Sequence, residues 1–231
     1  MSADILFDLD GTLIDSSPGI LASFGRVLAA DSLRPAVPLE ASLIGPPLAV
    51  TLQQVSGIAD EARLARLVEA FKQDYDTAGY LATEVFPGVA AGLAQLAAAG
   101  SRLFIVTNKR MLPTRRILEA LGLARHFAGI HTRDETEPMA LSKTVVTQRV
   151  VARYGIERCR AFFVGDSDED AAAARENSLA FIHAAYGYGA AGIAETPAAA
   201  PDRFSRLHDL TAILSRERCA LPERPCAPPR S

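Results

Sequence analysis

Cysteine is scarce in this sequence, and several familiar motifs are missing from it. The 231 residues contain three cysteines, Cys159, Cys219 and Cys226, an odd number. Neither a CxxC pair nor the Cys and His spacing of a zinc site occurs, so we predict no disulfide framework and no zinc site. The GxxxxGK(S/T) loop of nucleoside-triphosphate-binding proteins and the GxSxG elbow of serine hydrolases are also absent.

An excess of positive charge and long apolar runs are lacking as well. The chain has 24 Lys and Arg residues against 27 Asp and Glu residues, a formal net charge of −3, which argues against a nucleic-acid or anionic-membrane surface. No segment approaches the ~18 consecutive apolar residues of a membrane helix. The opening MSADILFDLDG lacks the basic and apolar regions of a secretory signal. We expect a cytoplasmic protein, monomeric or homodimeric, with no nucleic-acid or membrane partner.

Short apolar runs alternate with helix-like segments along most of the chain. The runs are bounded by polar or turn-forming residues, as buried strands commonly are. Strands that alternate with helices in this way predict right-handed βαβ units and a parallel sheet. We therefore expect an α/β fold with strands at 5–7, 102–107, 127–132, 161–165 and 180–184, and a last short helix near 207–214.

A long segment after the first strand has a different character. Residues 15–84 contain no convincing strand, and apolar residues recur there at helical spacing after Pro18 and after Asp60, which is placed to cap a helix. This segment should form an all-helical cap inserted into the α/β core. The predicted division is a core of 1–15 and 85–215, a cap of 16–84 and a disordered Pro-rich tail of 216–231.

Residues with acidic, hydroxyl and amide groups collect just behind the predicted strands. In an open parallel sheet the ends of the strands meet at one edge, where ligands bind at the switch point. Asp8 and Asp10 are close enough in sequence to repel each other, so their placement asks for a cation, a proton or a solvated turn. The full set is Asp8, Asp10, Thr107, Asn108, Lys143, Asp166 and Asp170.

This set has the chemistry of a site for a divalent cation and a phosphate. Carboxylate oxygens suit a hard cation, and Mg²⁺ usually binds through one or two carboxylates together with a phosphate. The cation and Lys143 would reverse the repulsion between the carboxylates and an anionic ligand. Each segment alone is also compatible with a solvated turn or an acidic loop. Their joint placement at successive strand ends favours a Mg²⁺ and phosphate site.

Four motifs in the chain resemble those of the haloacid dehalogenase superfamily, specifically its phosphatases with a helical cap. They are DLDGTL from Asp8, VTN from Val106, Lys143, and GDSDED from Gly165. The resemblance covers residues 4–215. It implies a Rossmann-like core with the cap inserted after the first strand, and a Mg²⁺-dependent enzyme that hydrolyses small phosphate esters.

The resemblance also implies a role for each motif residue. Asp8 would attack phosphorus and become an aspartyl-phosphate, while Asp10 would act as general acid and then base. Mg²⁺ would be held by Asp8, the backbone carbonyl of Asp10 and Asp166, with Asp170 supporting it directly or through water. Thr107 and the Asn108 amide would bind the phosphoryl oxygens, and Lys143 would offset their charge. The family often has proline after this lysine, whereas Thr144 follows it here.

The sequence does not determine which alcohol is esterified to the phosphate. The segments IGPPL, FKQDY, FPGV and YGYG are similar to those of phosphoglycolate phosphatase-like members and of 5′-nucleotidase-like members. A sugar phosphomutase is a further alternative, although no basic residue occurs in the Gly45 to Pro47 loop. An aspartate at Asp10 is typical of phosphate-ester chemistry rather than of dehalogenation. Lys72 is a candidate contact to a second anionic group, and a surface lysine is the simpler interpretation.

Overall fold

The structure, a computed structural model, describes residues 3–135, 141–189 and 202–204. In chain order the strands of these residues are β1 (Asp4–Phe7), β2 (Ile14–Asp15), β3 (Glu84–Val85), β4 (Arg102–Thr107), β5 (Gly129–Thr132), β6 (Ala161–Gly165), β7 (Ala180–Ala184) and β8 (Asp202–Phe204). The α-helices are α1 (Ser17–Ala30), α2 (Leu48–Ser56), α3 (Glu61–Thr77), α4 (Val89–Ala98), α5 (Met111–Ala120), α6 (Lys143–Tyr154) and α7 (Asp168–Glu176).

Six of the strands form one parallel sheet in the order β5-β4-β1-β6-β7-β8. The chain runs outward from β1 through β4 and β5 on one side, then through β6, β7 and β8 on the other. This is the doubly wound order, in which a crevice opens where the winding reverses beside the central strand. Leu6 of β1 pairs with Phe104 of β4 and with Phe163 of β6. The predicted α/β, Rossmann-like fold is confirmed.

Helices cover both faces of the sheet, so the central strands are apolar on both sides. Successive residues of β1 point to opposite faces and join different clusters of buried side chains. Phe7 belongs to the cluster formed with α4 and α5, and Leu6 to the cluster formed with α6 and α7. The sheet edge that carries the polar residues is therefore fixed by two cores.

The segment between β2 and β3 carries α1, α2 and α3, which share an apolar cluster of their own around Phe24, Leu52 and Phe71. Asp60 caps α3 by accepting a hydrogen bond from the Arg63 backbone N–H at 2.7 Å. The helices predicted after Pro18 and Asp60 are confirmed. The division into core and cap at the stated boundaries stays a prediction.

Three details of the sequence prediction were wrong. Residues 14–15 and 84–85 form a two-stranded antiparallel ribbon at the junctions of the cap, where no strand was expected. The acidic residues of GDSDED predict a loop after β6, but only Asp166 and Ser167 lie in it, because α7 already begins at Asp168. Strand β8 was not predicted at all. A strand of two or three residues is too short to show the alternation on which the sequence prediction relies.

The predicted helix near 207–214 and the predicted tail lie outside the described residues. No helix among the residues described here has the length and apolar character needed to cross a bilayer.

Candidate active site

Three carboxylates come together where the central strands end. Asp8 follows β1, Asp166 follows the neighbouring β6, and Asp170 lies in the first turn of α7. All three side chains are buried, and each offers an oxygen that lies within 4.8 Å of the oxygens of the other two. The predicted cluster is thus assembled by adjacent strands and a single helical turn.

Gly11 allows the loop after β1 to approach one of these carboxylates. Its φ of 84° lies in the left-handed region, and a Cβ atom there would stand 2.4 Å from Asp166 Oδ2. Next to it, the Thr12 hydroxyl donates a hydrogen bond to Asp166 Oδ1 at 3.2 Å. The glycine is therefore required both by its backbone conformation and by the space that Asp166 occupies.

We expect Gly11→Ala to lower kcat/KM for phosphate ester hydrolysis by about 10²-fold, because a displaced Asp166 misaligns the site. Gly155→Ala is the matched control. Gly155 also has a positive φ, 59°, but no atom lies within 4 Å of its potential Cβ. The control should lose about 1 kcal/mol of stability and keep its activity. Equal activity in the two variants, measured beside their unfolding free energies, would contradict this account of Gly11.

Lys143 lies between two of the carboxylates. Its Nζ atom is 3.0 Å from Asp8 Oδ1 and 2.6 Å from Asp170 Oδ1, and the side chain is buried. Burial lowers the pKa of Lys143, but the attraction of Asp170 and Asp8 outweighs it, so the pKa is raised and the group is an ammonium. Ser142 caps α6 by accepting from the Val145 N–H. This cap fixes the start of the helix without the proline that the family often has.

Asp170 is already fully engaged by the protein. Its Oδ1 faces Lys143, while Oδ2 accepts hydrogen bonds from the Ser167 hydroxyl at 2.6 Å and the Ser167 N–H at 3.1 Å. Ser167 and Asp170 form a reciprocal capping box at the start of α7. These contacts favour a supporting role for Asp170, which holds Lys143 in place.

Asp10 faces a different set of partners from Asp8. Its Oδ1 accepts a hydrogen bond from the Ser16 hydroxyl at 2.5 Å and forms an ion pair with Lys109 Nζ at 2.9 Å. The Lys109 side chain is 6% exposed, and its ammonium lies 4.9 Å from the centre of the Tyr75 ring in α3. Burial lowers the pKa of Lys109, but the effects of Asp10 and Tyr75 outweigh it. The pKa is therefore raised, and the residue stays charged. Asp10 is thus held by groups on both sides of the junction with the cap.

Sequence reasoning missed both Ser16 and Lys109. Ser16 stands at the N-cap position of α1, where a serine is normally assigned to the helix, yet its side chain makes no capping hydrogen bond. Lys109 directly follows the VTN motif, and this adjacency was the available signal. The direction of a side chain in a loop cannot be read from spacing.

Thr107 and Asn108 lie at the end of β4, across the same opening. The Thr107 hydroxyl accepts a hydrogen bond from the Lys109 N–H at 3.2 Å. The Asn108 side-chain amide donates to Glu169 Oε2 at 2.6 Å and to the Gly45 carbonyl at 3.3 Å. Asn108 therefore connects the sheet edge with the loop of Gly45 to Pro47.

A cavity of about 450 Å³ contains the predicted site. Most of the predicted residues line it, namely Asp8, Asp10, Thr107, Asn108, Lys143 and Asp166, together with Lys109. Asp170 does not line the cavity, but it pairs with Lys143, which does. Lys72 does not line the cavity and pairs with Glu69 at 2.5 Å on the exposed side of α3. The surface interpretation of Lys72 is therefore the better one.

Comparison with known proteins assigns the chain to a family. The family model described as haloacid dehalogenase-like hydrolase matches residues 5–184. The chain belongs to this family. The resemblance inferred from the four motifs is thereby confirmed.

Two individual proteins are also similar to this chain. A phosphoglycolate phosphatase of Rhodospirillum rubrum is 32% identical over 226 residues, which cover 90% of each chain. A tyrosine-protein kinase, PtkA, of Mycobacterium tuberculosis is 33% identical over 190 residues, which cover 81% of this chain and 63% of the relative. This chain thus spans less than two thirds of that relative's length.

Solved structures show the same fold. A predicted phosphatase from Clostridium acetobutylicum superposes with a TM-score of 0.78 at 25% identity, covering 94% of this chain and 98% of that one. The structure of PtkA from M. tuberculosis has a TM-score of 0.77 at 30% identity, covering 92% and 98%.

The donor set of this haloacid dehalogenase-like site fits a divalent cation. Burial raises the pKa of Asp8 well above its usual value, and the repulsion of Asp170, Asp166 and Asp10 adds to this against the attraction of Lys143. Burial and the repulsion of Asp170 likewise raise the pKa of Asp166 to about 6. Three buried carboxylates thus face one ammonium, and a cation with oxygen preference would remove the imbalance. Asp8 and Asp166 are the residues placed to hold it.

We expect Mg²⁺ to stabilise the folded protein more strongly at higher pH. The pKa of Asp166 is raised from 3.8 to about 6. The stability that this carboxyl group contributes is therefore fully present below pH 3.8 and is lost as the pH rises through about 6. Mg²⁺ competes with the proton for this carboxylate, so Mg²⁺ should raise the melting temperature more at about pH 7.5 than at about pH 5. Equal shifts at the two pH values, measured against EDTA, would contradict this.

Proposed function

We propose that the protein is a Mg²⁺-dependent phosphatase that hydrolyses a small phosphate monoester through an aspartyl-phosphate on Asp8. The observation that carries the proposal is the placement of Asp8 on the cavity wall, with Lys143 at 3.0 Å and the carboxylate of Asp166 beside it. Asp10, with separate partners, lines the same cavity. Two carboxylates in different surroundings suit a nucleophile and a proton donor.

The first half of the reaction would transfer the phosphoryl group to the protein. A carboxylate oxygen of Asp8 attacks phosphorus, and the bond between phosphorus and the leaving oxygen breaks. Asp10 gives its proton to that oxygen, so the alcohol leaves neutral. Lys143 offsets the charge on the phosphoryl oxygens together with the Thr107 hydroxyl and the backbone N–H of Asn108, since the side-chain amide of Asn108 donates to Glu169 and Gly45. Mg²⁺ held by Asp8 and Asp166 would supply further positive charge, with the Asp10 carbonyl as a predicted third ligand.

The second half would release phosphate. Asp10, now a carboxylate, takes a proton from a water molecule, and this water attacks the phosphorus of the aspartyl-phosphate. Asp8 is regenerated, and inorganic phosphate leaves. The Ser16 hydroxyl and the Lys109 ammonium contact Asp10 Oδ1 and would hold the Asp10 carboxyl group in position in both halves.

The relatives guide the choice of candidate substrates. Because relatives are named phosphoglycolate phosphatases, 2-phosphoglycolate is one candidate, and nucleoside monophosphates follow from the 5′-nucleotidase-type alternative. A sugar phosphomutase shares the first half of the reaction, so a sugar monophosphate is tested with and without a bisphosphate primer. ATP is included because PtkA is named a tyrosine-protein kinase.

The experiment is a phosphate-release assay on this panel in the presence of Mg²⁺ and in EDTA. We expect hydrolysis of at least one monoester with Mg²⁺ and none in EDTA. Activity that persists in EDTA would contradict the cofactor. Isomerisation of the sugar phosphate only with a primer, without phosphate release, would identify a mutase. Phosphotyrosine formed from ATP, detected by mass spectrometry, would identify a kinase. The cytoplasmic location and the oligomeric state remain predictions.

A further inference from the structure

The two ends of the cavity differ in charge. The sheet edge contributes the charged side chains described above, whereas the cap contributes uncharged ones. The cap is described at every position, and none of its Asp, Glu, Lys or Arg residues lines the cavity. Its part of the wall is mainly apolar and includes Ile20, Phe24, Leu43, Ile44, Phe71 and Tyr75.

Each cation that lines the cavity among the described residues already has a carboxylate partner. Lys143 pairs with Asp8 and Asp170, and Lys109 pairs with Asp10. The third, Arg110, makes two hydrogen bonds to the Asp76 carboxylate, at 2.6 and 2.9 Å. A leaving group with a carboxylate or a second phosphate would have to break one of these pairs or remain unpaired. Either outcome is costly in a buried site.

The cap wall offers a favourable surface to an apolar body instead. The rings of Phe24 and Phe71 have centroids 4.7 Å apart, and those of Phe71 and Tyr75 are stacked at 5.5 Å. These rings are packed against one another and buried, so they lose little freedom when a ligand binds. Contact with them removes apolar ligand surface from water. A volume of about 450 Å³ is within the range of small-molecule sites.

We propose that the cavity selects phosphate monoesters of uncharged alcohols with an apolar or aromatic body and disfavours anionic leaving groups. This inference rests on the proposed phosphatase function, since it assigns the cap end of the cavity to the leaving alcohol. It distinguishes the candidates left open above. An uncharged nucleoside satisfies it, whereas glycolate and a sugar phosphate carrying a second phosphate do not.

The test compares three leaving groups, of which the acid and its amide are matched in size. Benzyl phosphate presents an aromatic alcohol, 2-phosphoglycolate an anionic one, and the amide of 2-phosphoglycolate an uncharged isostere of the latter. With Mg²⁺ present, kcat/KM should be higher for the amide than for the acid, and higher for benzyl phosphate than for the acid by about tenfold or more. If the acid is hydrolysed as well as its amide, the inference is overturned.

A cation introduced into the cap wall should change this preference. Ile44 lies in the loop before Gly45, is half-buried and is uncharged. Ile44→Lys should raise the ratio of kcat/KM for 2-phosphoglycolate to that for benzyl phosphate by about tenfold. Ile44→Met, of similar volume and no charge, should keep the wild-type ratio. The same ratio in both variants would contradict the role assigned to charge.

A binding measurement separates failure of this inference from failure of the proposed function. Calorimetric titration of the Asp8→Asn protein with the three compounds, in the presence of Mg²⁺, reports the preference without turnover. Tighter binding of 2-phosphoglycolate than of its amide overturns the inference while the phosphatase activity stands. If no monoester is hydrolysed, the proposed function fails, and the order of affinities still decides the inference.

Discussion

Asp8→Asn is expected to lower kcat for phosphate monoesters by at least about 10⁴-fold, since it removes the nucleophile. The stability of the folded protein should not decrease. Burial raises the pKa of the Asp8 carboxyl well above its usual value, so the charged form is unfavourable in this position. An amide of the same shape removes that charge and leaves Lys143 paired with Asp170 at 2.6 Å. We expect the variant to unfold at the same or a higher denaturant concentration in EDTA.

The matched control for Asp8→Asn is the same change at a carboxylate outside the cavity. Asp74 pairs with Arg26 at 2.6 Å on the outside of the cap, where an ion pair contributes little. Asp74→Asn should keep wild-type kcat and KM. Activity of Asp8→Asn within tenfold of the control would contradict the assignment of the nucleophile.

Lys143→Met is expected to reduce both activity and stability. Loss of the ammonium leaves Asp8 and Asp170 buried without their shared cation, and removing one partner from a buried pair typically costs about 3–5 kcal/mol. The same change removes positive charge from the transferring phosphoryl group, which should lower kcat by about 10²–10³-fold. Unfolding by denaturant in EDTA and steady-state kinetics with Mg²⁺ measure the two effects.

A second substitution separates the two effects of Lys143→Met. Adding Asp170→Asn removes one of the unpaired carboxylates, and an amide oxygen can still accept from Ser167 at the start of α7. The double variant should regain part of the lost stability but none of the lost activity. If Lys143→Met is as stable as the wild-type protein, the buried ion pairs do not have the importance assigned to them.

The placement of the candidate site residues could be predicted because it depends on where strands end. Asp8, Thr107 and Asp166 each terminate or follow a strand of one parallel sheet, so a topological rule brings them to one cavity. Lys143 was placed by its position at the start of a helix that crosses to the next strand. For these residues a backbone position was sufficient to infer the neighbourhood.

Other features depend on contacts that no local pattern records. Lys109 reaches Asp10 through the direction that its side chain takes from a loop. The Tyr188 hydroxyl accepts from the Ser16 N–H at 2.8 Å and donates to Asp15 at 2.6 Å, across more than 170 residues of chain. The charge pairing along the cavity, including Arg110 with Asp76, likewise required the fold. Tertiary packing, rather than propensity, decided these contacts.

The central claim is that Asp8 carries the phosphoryl group, and rapid-quench mass spectrometry tests it most directly. The wild-type protein is mixed with Mg²⁺ and a hydrolysed monoester, quenched in acid during the first turnover and digested to peptides. The account predicts one added phosphoryl group on the peptide that contains Asp8, at the carboxylate of that residue, and none in Asp8→Asn. Hydrolysis without any phosphorylated peptide, or phosphorylation at a different residue, would contradict it.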